Sequence, residues 1–220
     1  MLSPPFAPGE RLAYTLHDEL GTVVAEGFLS VSDSGGDLLL QQEFVAKGAA
    51  EGAEPGRDTI EVVVDPAAFK PSRGSRVIAE PGTGESSAVE RYEWRYRSED
   101  GESQLEVARI RDGKAEEDNL RLREHHYDNE SALWLWRALD LAEGYEASYV
   151  SVSATDGAQQ TVDLRVTQRE SVEVPAGRFD TWRLQVRTGR ATGVAWINVE
   201  APHEIVQWDN GRVIFRLAAE

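Results

Sequence analysis

The sequence predicts a mainly β protein: one large curled antiparallel sheet, a half-barrel or open barrel, with one amphipathic α-helix at about 129–143 packed on its concave side. Three observations predict it. Apolar and polar residues alternate with period two along most of the chain, as in strands with one buried face. The strand-like segments follow one another without helices between them, which excludes parallel βαβ units. One stretch alone, "NESALWLWRALDLAEG" (Asn129 to Gly144), changes to helical spacing. A chain of 220 residues can bury roughly 70% of its unfolded surface, so a single β-rich domain over 1–220 needs no metal or disulfide to hold it. The pattern holds roughly ten to twelve strands, and a sheet of that size curls or splits.

In chain order, Leu12, Tyr14 and Leu16 alternate with Arg11, Thr15 and His17. Val23, Ala25, Leu29 and Val31 follow a Leu20-Gly21 turn and complete a hairpin. "DLLLQQEFVAK" and "DTIEVVVD" continue the pattern, and "GAAEGAEPGR" (48–57) and "EPGTGESS" (80–87) read as surface loops within one domain. "RYEWRYR" (91–97) sets Tyr92, Trp94 and Tyr96 inward and Arg91, Glu93, Arg95 and Arg97 outward. "QLEVARIRDGK", with an Asp112-Gly113 turn signal, and "NLRLREHHY" lead to the helical stretch. Beyond it come "ASYVSVS", the Asp156-Gly157 turn, "QTVDLRVTQ", "SVEVPAG", "DTWRLQVRTG", "GVAWINV" and a final hairpin. Taking Asn210-Gly211 as a two-residue type I′ loop sets Trp208 opposite Val213 and Val206 opposite Phe215.

For the helix, Asp128 or Asn129 offers an N-cap, Glu130 suits the positive end of the dipole, and Gly144 stands at the C′ position. Ala132, Leu135, Ala138, Leu139 and Ala142 share one arc, which Trp134 and Leu141 widen. Glu130, Arg137, Asp140 and Glu143 form the polar remainder, with Leu133 and Trp136 among them. Two readings of that pair stand: they cover a loop or sheet edge, or they line a pocket or a partner surface.

The formal net charge of −16 argues against nucleic acid or an anionic bilayer as partner, since either polyanion repels the average field. The chain has no Cys, and no apolar run of the ~18 residues that a spanning helix needs. "MLSPPFAPGERL" lacks the charged start and apolar core of a signal peptide, so the expectation is a cytoplasmic protein or one produced without its targeting segment.

His125-His126 with Asp128 and Glu130 is the densest set of metal-ligand types. Neighbours in a strand point to opposite faces, so no metal site is expected, and His126 is expected to face inward with Leu120 and Leu122. No G-x-S-x-G elbow occurs, His17 and His203 read as strand residues, and "PGTGESS" lacks the Gly-Lys-Ser/Thr ending of a phosphate loop. We therefore expect no enzyme and no cofactor. The remaining lead is aromatic: Tyr92, Trp94, Tyr96, Trp182, Trp196, Trp208 and Phe215 would all face the inner side. Most are core, but a residual apolar groove beside a single helix is a natural ligand site. The candidate ligand-contact residues are Tyr92, Trp94, Tyr96, Leu133, Trp136, Trp182, Trp196 and Trp208.

"ESALWLWRALDLAEG", "ESVEVPAGRFDTWRLQV" (170–186), "VAWINVEAPHEIVQWDNG" (194–211) and, more loosely, "PFAPGERLAYTL" resemble the bacterial family known as domain of unknown function 3108. The resemblance implies an exported envelope protein with a fold similar to the periplasmic carriers of lipoproteins, a curled antiparallel sheet around helical segments. It implies no catalytic residues. By analogy it suggests a lipid or other hydrophobic ligand in the concavity; a protein interaction or assembly module is the alternative, and a cytoplasmic address the alternative to the periplasm.

Overall fold

The structure, a computed structural model, describes residues 4–49, 52–82, 89–111, 114–189 and 191–219. The first half is a meander of β1 (Arg11–His17), β2 (Val23–Ser34), β3 (Asp37–Ala46), β4 (Arg57–Val64), β5 (Pro71–Ala79), β6 (Val89–Glu99), β7 (Glu102–Arg111) and β8 (Lys114–Arg121). After β9 (His126–Asp128) and the helix α1 (Ala132–Arg137) come β10 (Glu146–Ser153), β11 (Ala158–Val174), β12 (Gly177–Thr188), β13 (Thr192–Asn198), β14 (Ile205–Asp209) and β15 (Ile214–Leu217). All belong to one 15-stranded sheet in which β15 returns to pair with β1. Each other strand pairs with its successor except β8 with β9, so the sheet is an up-and-down ring cut once. Only the short β9–β10 pairing is parallel. The curled, mainly β, unclosed architecture is the one the alternation predicts.

The strand count exceeds the expected ten to twelve, and β5 shows why. Its "PSRGSRVIA" has no apolar residue at the inward position opposite Trp94, because Gly74 stands there. A Cβ on Gly74 would lie 2.4 Å from the Trp94 ring, so the missing side chain is what lets the indole lie over the strand. The expected Asp112-Gly113 turn and residues 83–87 of the second loop lie outside the described residues.

The final hairpin corrects the predicted register. Trp208 faces Phe215 and Gln207 faces Arg216, two residues off the expected pairing. The loop is not a two-residue type I′ turn: Asn210 Oδ1 accepts from the backbone N–H of Arg212 (2.9 Å) and Val213 (2.9 Å), building a wider loop on a side chain. A shift of two preserves the faces, so Trp208, Phe215 and Leu217 still pack together. A bulge at Trp196/Ile197 then buries Ile205 and Val206 together, although they are neighbours in sequence.

The helix is also corrected, from 129–143 to the 6 residues Ala132–Arg137. Asp128 and Asn129 do not cap it. The Asp128 carboxylate turns into the core, Asn129 Oδ1 accepts from Ser151 Oγ (3.0 Å), and Ser131 is the N-cap residue without a side-chain bond to the helix. Past Arg137 the bonds tighten, with Leu139 N–H donating to Trp136 C=O (3.4 Å) and Leu141 N–H to Leu139 C=O (3.0 Å). Gly144 does adopt the left-handed conformation (φ 74°), but it closes a separate turn from Ala142 to Tyr145. Six residues are too few to form a helix alone, so packing holds it. Trp134, Leu135 and Trp136 are all buried, and Trp136 sits 4.9 Å from the Trp208 ring.

Arg137, expected on a polar face, is the most constrained of these residues, its side chain fully buried. Its guanidinium makes a bidentate pair with Glu10 (2.8 and 2.8 Å) and donates from Nε to His203 C=O (3.1 Å) and from Nη2 to Pro202 C=O (3.0 Å). Phe6 covers one face of the group at 4.8 Å.

The cut in the ring is bridged by side chains. Gln159 of β11 treats the chain after β8 as a strand, accepting from Arg123 N–H (2.8 Å) and donating to Arg121 C=O (2.8 Å). On the other side of the gap, Trp94 Nε1 and Tyr96 Oη of β6 both donate to Asp128 Oδ2 (2.8 Å each), and Lys70 Nζ donates to His126 C=O (2.7 Å).

Replacing Arg137 by Met leaves Glu10 and two inward carbonyls without a donor, and should cost about 3–5 kcal/mol in urea unfolding. Adding Glu10→Leu should restore a large part of that loss. An Arg137→Met protein as stable as the parent would show that the pair anchors nothing.

Candidate functional site

The inner face of the sheet is filled around α1. What remains open is a cleft of about 790 Å³ at the end of the helix. One wall is the irregular segment after Arg137, which supplies Leu139, Leu141 and Tyr145. The opposite wall comes from the sheet, where Trp182 of β12 pairs directly with Ile197 of β13. The segment departs from helical geometry because both its ends are tied: Arg137 to the loop carbonyls, and Tyr145 C=O to the backbone N–H of Val166 (2.9 Å). A continued helix would have turned Leu139 and Leu141 along one arc into the core; the tightened backbone leaves them half-buried at the cleft.

The third side is the loop between β13 and β14. Asn198 organises it, accepting from Glu200 N–H (3.1 Å) and donating to Glu204 Oε2 (2.9 Å). His203, which lines the cleft, has φ 56° and lies in this loop and not in a strand, correcting the expectation from sequence. Its Nδ1 lies 3.0 Å from Asn198 C=O. A carbonyl only accepts, so Nδ1 carries the proton and Nε2 is the nitrogen left for a ligand.

The eight candidate ligand residues are not brought together. Trp182 lines the cleft. Tyr92, Trp94 and Trp136 are buried core, and Tyr96, Leu133 and Trp208 are half-buried against it. Trp136 Nε1 donates to Tyr149 Oη (3.2 Å), so the protein itself covers this edge of the helix. Trp196 stands on the opposite face from the other aromatics: it pairs with Arg183 and Gln207, and its Nε1 donates to Glu170 Oε1 (2.7 Å). Sequence reasoning missed Tyr145, Val199 and His203. The only local signal was Pro202, whose presence in "VEAPHE" interrupts the alternation. A second hollow, of about 580 Å³, lies on the outer face of β3 to β8, over Leu39, Val63 and Ala108.

Residues 12–212 match the family described as "Protein of unknown function (DUF3108)". The chain belongs to this family. The DUF3108 resemblance drawn from the motifs is thus borne out, and those motifs meet in space: Phe6 and Glu10, Arg137, and Pro202 with His203 all converge on one guanidinium. Among solved structures, the chain is similar to a beta-barrel-like DUF1849 protein from Brucella abortus, with TM-score 0.60, 9% identity and 95% of each chain covered. At that identity the likeness is one of fold. A protein with YmcC-like fold from Bacteroides fragilis aligns over 99% of this chain and 98% of its own, with 9% identity and TM-score 0.34. No curated protein matches.

In this DUF3108 chain the His125-His126 neighbourhood holds a carboxylate pair and not a paired-histidine site. His125 is exposed at φ 56°, while His126 is half-buried and stacked on Tyr96 (6.0 Å between ring centres, 3° between planes) instead of packing inward with Leu120 and Leu122. Asp128 is fully buried, and burial pushes its carboxyl up to about 6 despite the bonds from Tyr96, Glu130 N–H and Trp94. Burial likewise pushes Glu130 up to about 7, against the Arg76 guanidinium at 3.6 Å and with the Asp128 charge adding to the rise. Arg76 is shared with Asp58 (2.6 Å). Among the described residues no group of three metal-ligating side chains could hold one ion, and no helix is long and apolar enough to cross a membrane.

Both carboxyls hold their protons to higher pH in the folded than in the unfolded chain. The native state therefore binds more protons between about pH 4 and 7, and these groups' contribution to stability falls as pH rises through that window. For Asp128, a rise from 3.8 to about 6 corresponds to about 3 kcal/mol. Urea midpoints of Asp128→Asn should accordingly fall less than those of the parent between about pH 4 and 7.5. Parallel profiles would mean that Asp128 does not titrate there.

Proposed function

We propose that this protein is a non-enzymatic binding protein of the cell envelope that holds a small apolar molecule or acyl chain in the cleft between the post-helix segment and β12–β13. The observation that carries the reading is the cleft itself: about 790 Å³, walled by Leu139, Leu141, Tyr145, Trp182, Ile197 and Val199. That volume lies within the range of ligand sites, and the apolar walls are joined in the lining by the polar side chains of Arg137, Asp140, Asn198 and His203. The site is narrower than a whole open concavity, because α1 and the aromatics of β6 already occupy the inner face. The envelope address rests on the DUF3108 resemblance, and fractionation of cells expressing the full gene tests it separately.

The partner-module alternative drew on Leu133, Trp136 and the mixed face of the final hairpin; the packing of Trp136 between Trp208 and Tyr149 supports it less than the cleft supports a ligand.

Titration with a neutral dodecyl detergent below its micelle concentration should change the fluorescence of Trp182, and Leu141→Glu should abolish the change while leaving the thermal midpoint within about 2 °C, since Leu141 is only half-buried. Native mass spectrometry showing no bound chain, with no fluorescence response in the parent, would overturn the reading.

A further inference from the structure

The polar groups around the cleft carry a sign. Arg137 reaches the lining, but its charge is cancelled by the bidentate Glu10. Arg169 lies 5.7 Å from the Trp182 ring centre, and its charge is matched by Asp180, which accepts from Nε at 2.8 Å. Asp140 is the charged side chain in the lining with no ion-pair partner among the described residues. It is exposed at the cleft mouth and close enough to Tyr145 for its carboxylate to add to the upward push that burial gives that hydroxyl. His203 offers Nε2 as an acceptor, given its Nδ1–H bond to Asn198 C=O. Tyr145 and Trp182 add aromatic rings to the lining, and ring faces attract cations.

We propose that the cleft selects a single-chain amphiphile with a cationic, ammonium-type head and disfavours one with an anionic head. This rests on the cleft being a ligand site. The chain lies between Leu139, Leu141 and Ile197, and the head sits at the mouth beside Asp140, Tyr145 and His203. A carboxylate or phosphate head at the same position would meet the unpaired Asp140 charge and an acceptor nitrogen, with no uncompensated cation to hold it.

The test uses three probes of one chain length, dodecyltrimethylammonium, dodecyl maltoside and dodecyl sulfate, titrated below their micelle concentrations and followed by tryptophan fluorescence. The ammonium probe should bind about fivefold more tightly than the sulfate at low ionic strength, with the gap narrowing in salt. Asp140→Asn should close most of that gap and leave the maltoside unchanged. The overall charge of −16 could favour any cation, so Glu116→Gln on the edge strand β8 serves as control and should leave the gap intact. Equal affinities in the parent, or a gap that Asp140→Asn and Glu116→Gln change alike, would overturn the charge assignment and leave the cleft as a site. Failure of all three probes to bind would overturn the cleft reading with it.

Discussion

The structure turns on a single buried cation. Arg137 closes α1, and its guanidinium gathers Glu10 from the segment before β1 and two carbonyls from the loop before β14. These segments are far apart in sequence, yet β1, β14 and β15 are successive or near neighbours in the sheet, so the pair fastens the helix at the join between its halves. A guanidinium suits the task where an ammonium would not. Its fork meets a carboxylate bidentately and still has donors directed at separate carbonyls. Taking such a charge out of water is costly unless nearly every donor is matched, and here four bonds match it.

The fold was legible wherever one face of a strand is buried and the other wet. Tyr92, Trp94 and Tyr96 against Arg91, Glu93 and Arg95 is such a case, and its faces are as read. Legibility failed where a position's partner does not sit beside it in sequence. The segment around Gly74 shows no alternation to count as a strand, yet Gly74 is a strand residue shaped by the Trp94 ring across from it. Trp196 reads as another inward aromatic, yet Ala195 and Ile197 hold the inward positions beside it. The last hairpin kept its faces and lost its register because Asn210, a residue that favours a tight turn, spent its side chain on a wider one.

The helix shows how propensity yields to tertiary demand. Ala, Leu and Arg favour continuation beyond residue 137, and nothing local stops it. The constraint is that Arg137 and Tyr145 are fixed to different parts of the sheet, and the residues between them take whatever backbone spans the two anchors. The candidate site is made from that span, which is why sequence periodicity pointed to the interior aromatics and away from it.

The seam and the cleft answer one problem in two ways. An up-and-down ring cut between β8 and β9 has unpaired edges and a core open at one side. At the seam the gap is filled with polar atoms, and the Gln159 amide and the Asp128 carboxylate stand in for ladder hydrogen bonds. Asp128 can do this only as an acceptor buried among donors; the burial raises its proton affinity, and the donors hold part of that rise back. At the helix end the gap is left open, because the segment after Arg137 turns aside its leucines and no side chain fills the space before Trp182. A filled seam and an unfilled cleft thus stand in one sheet, with β6 and β9 joined through the Asp128 carboxylate and a hollow left before β12 and β13.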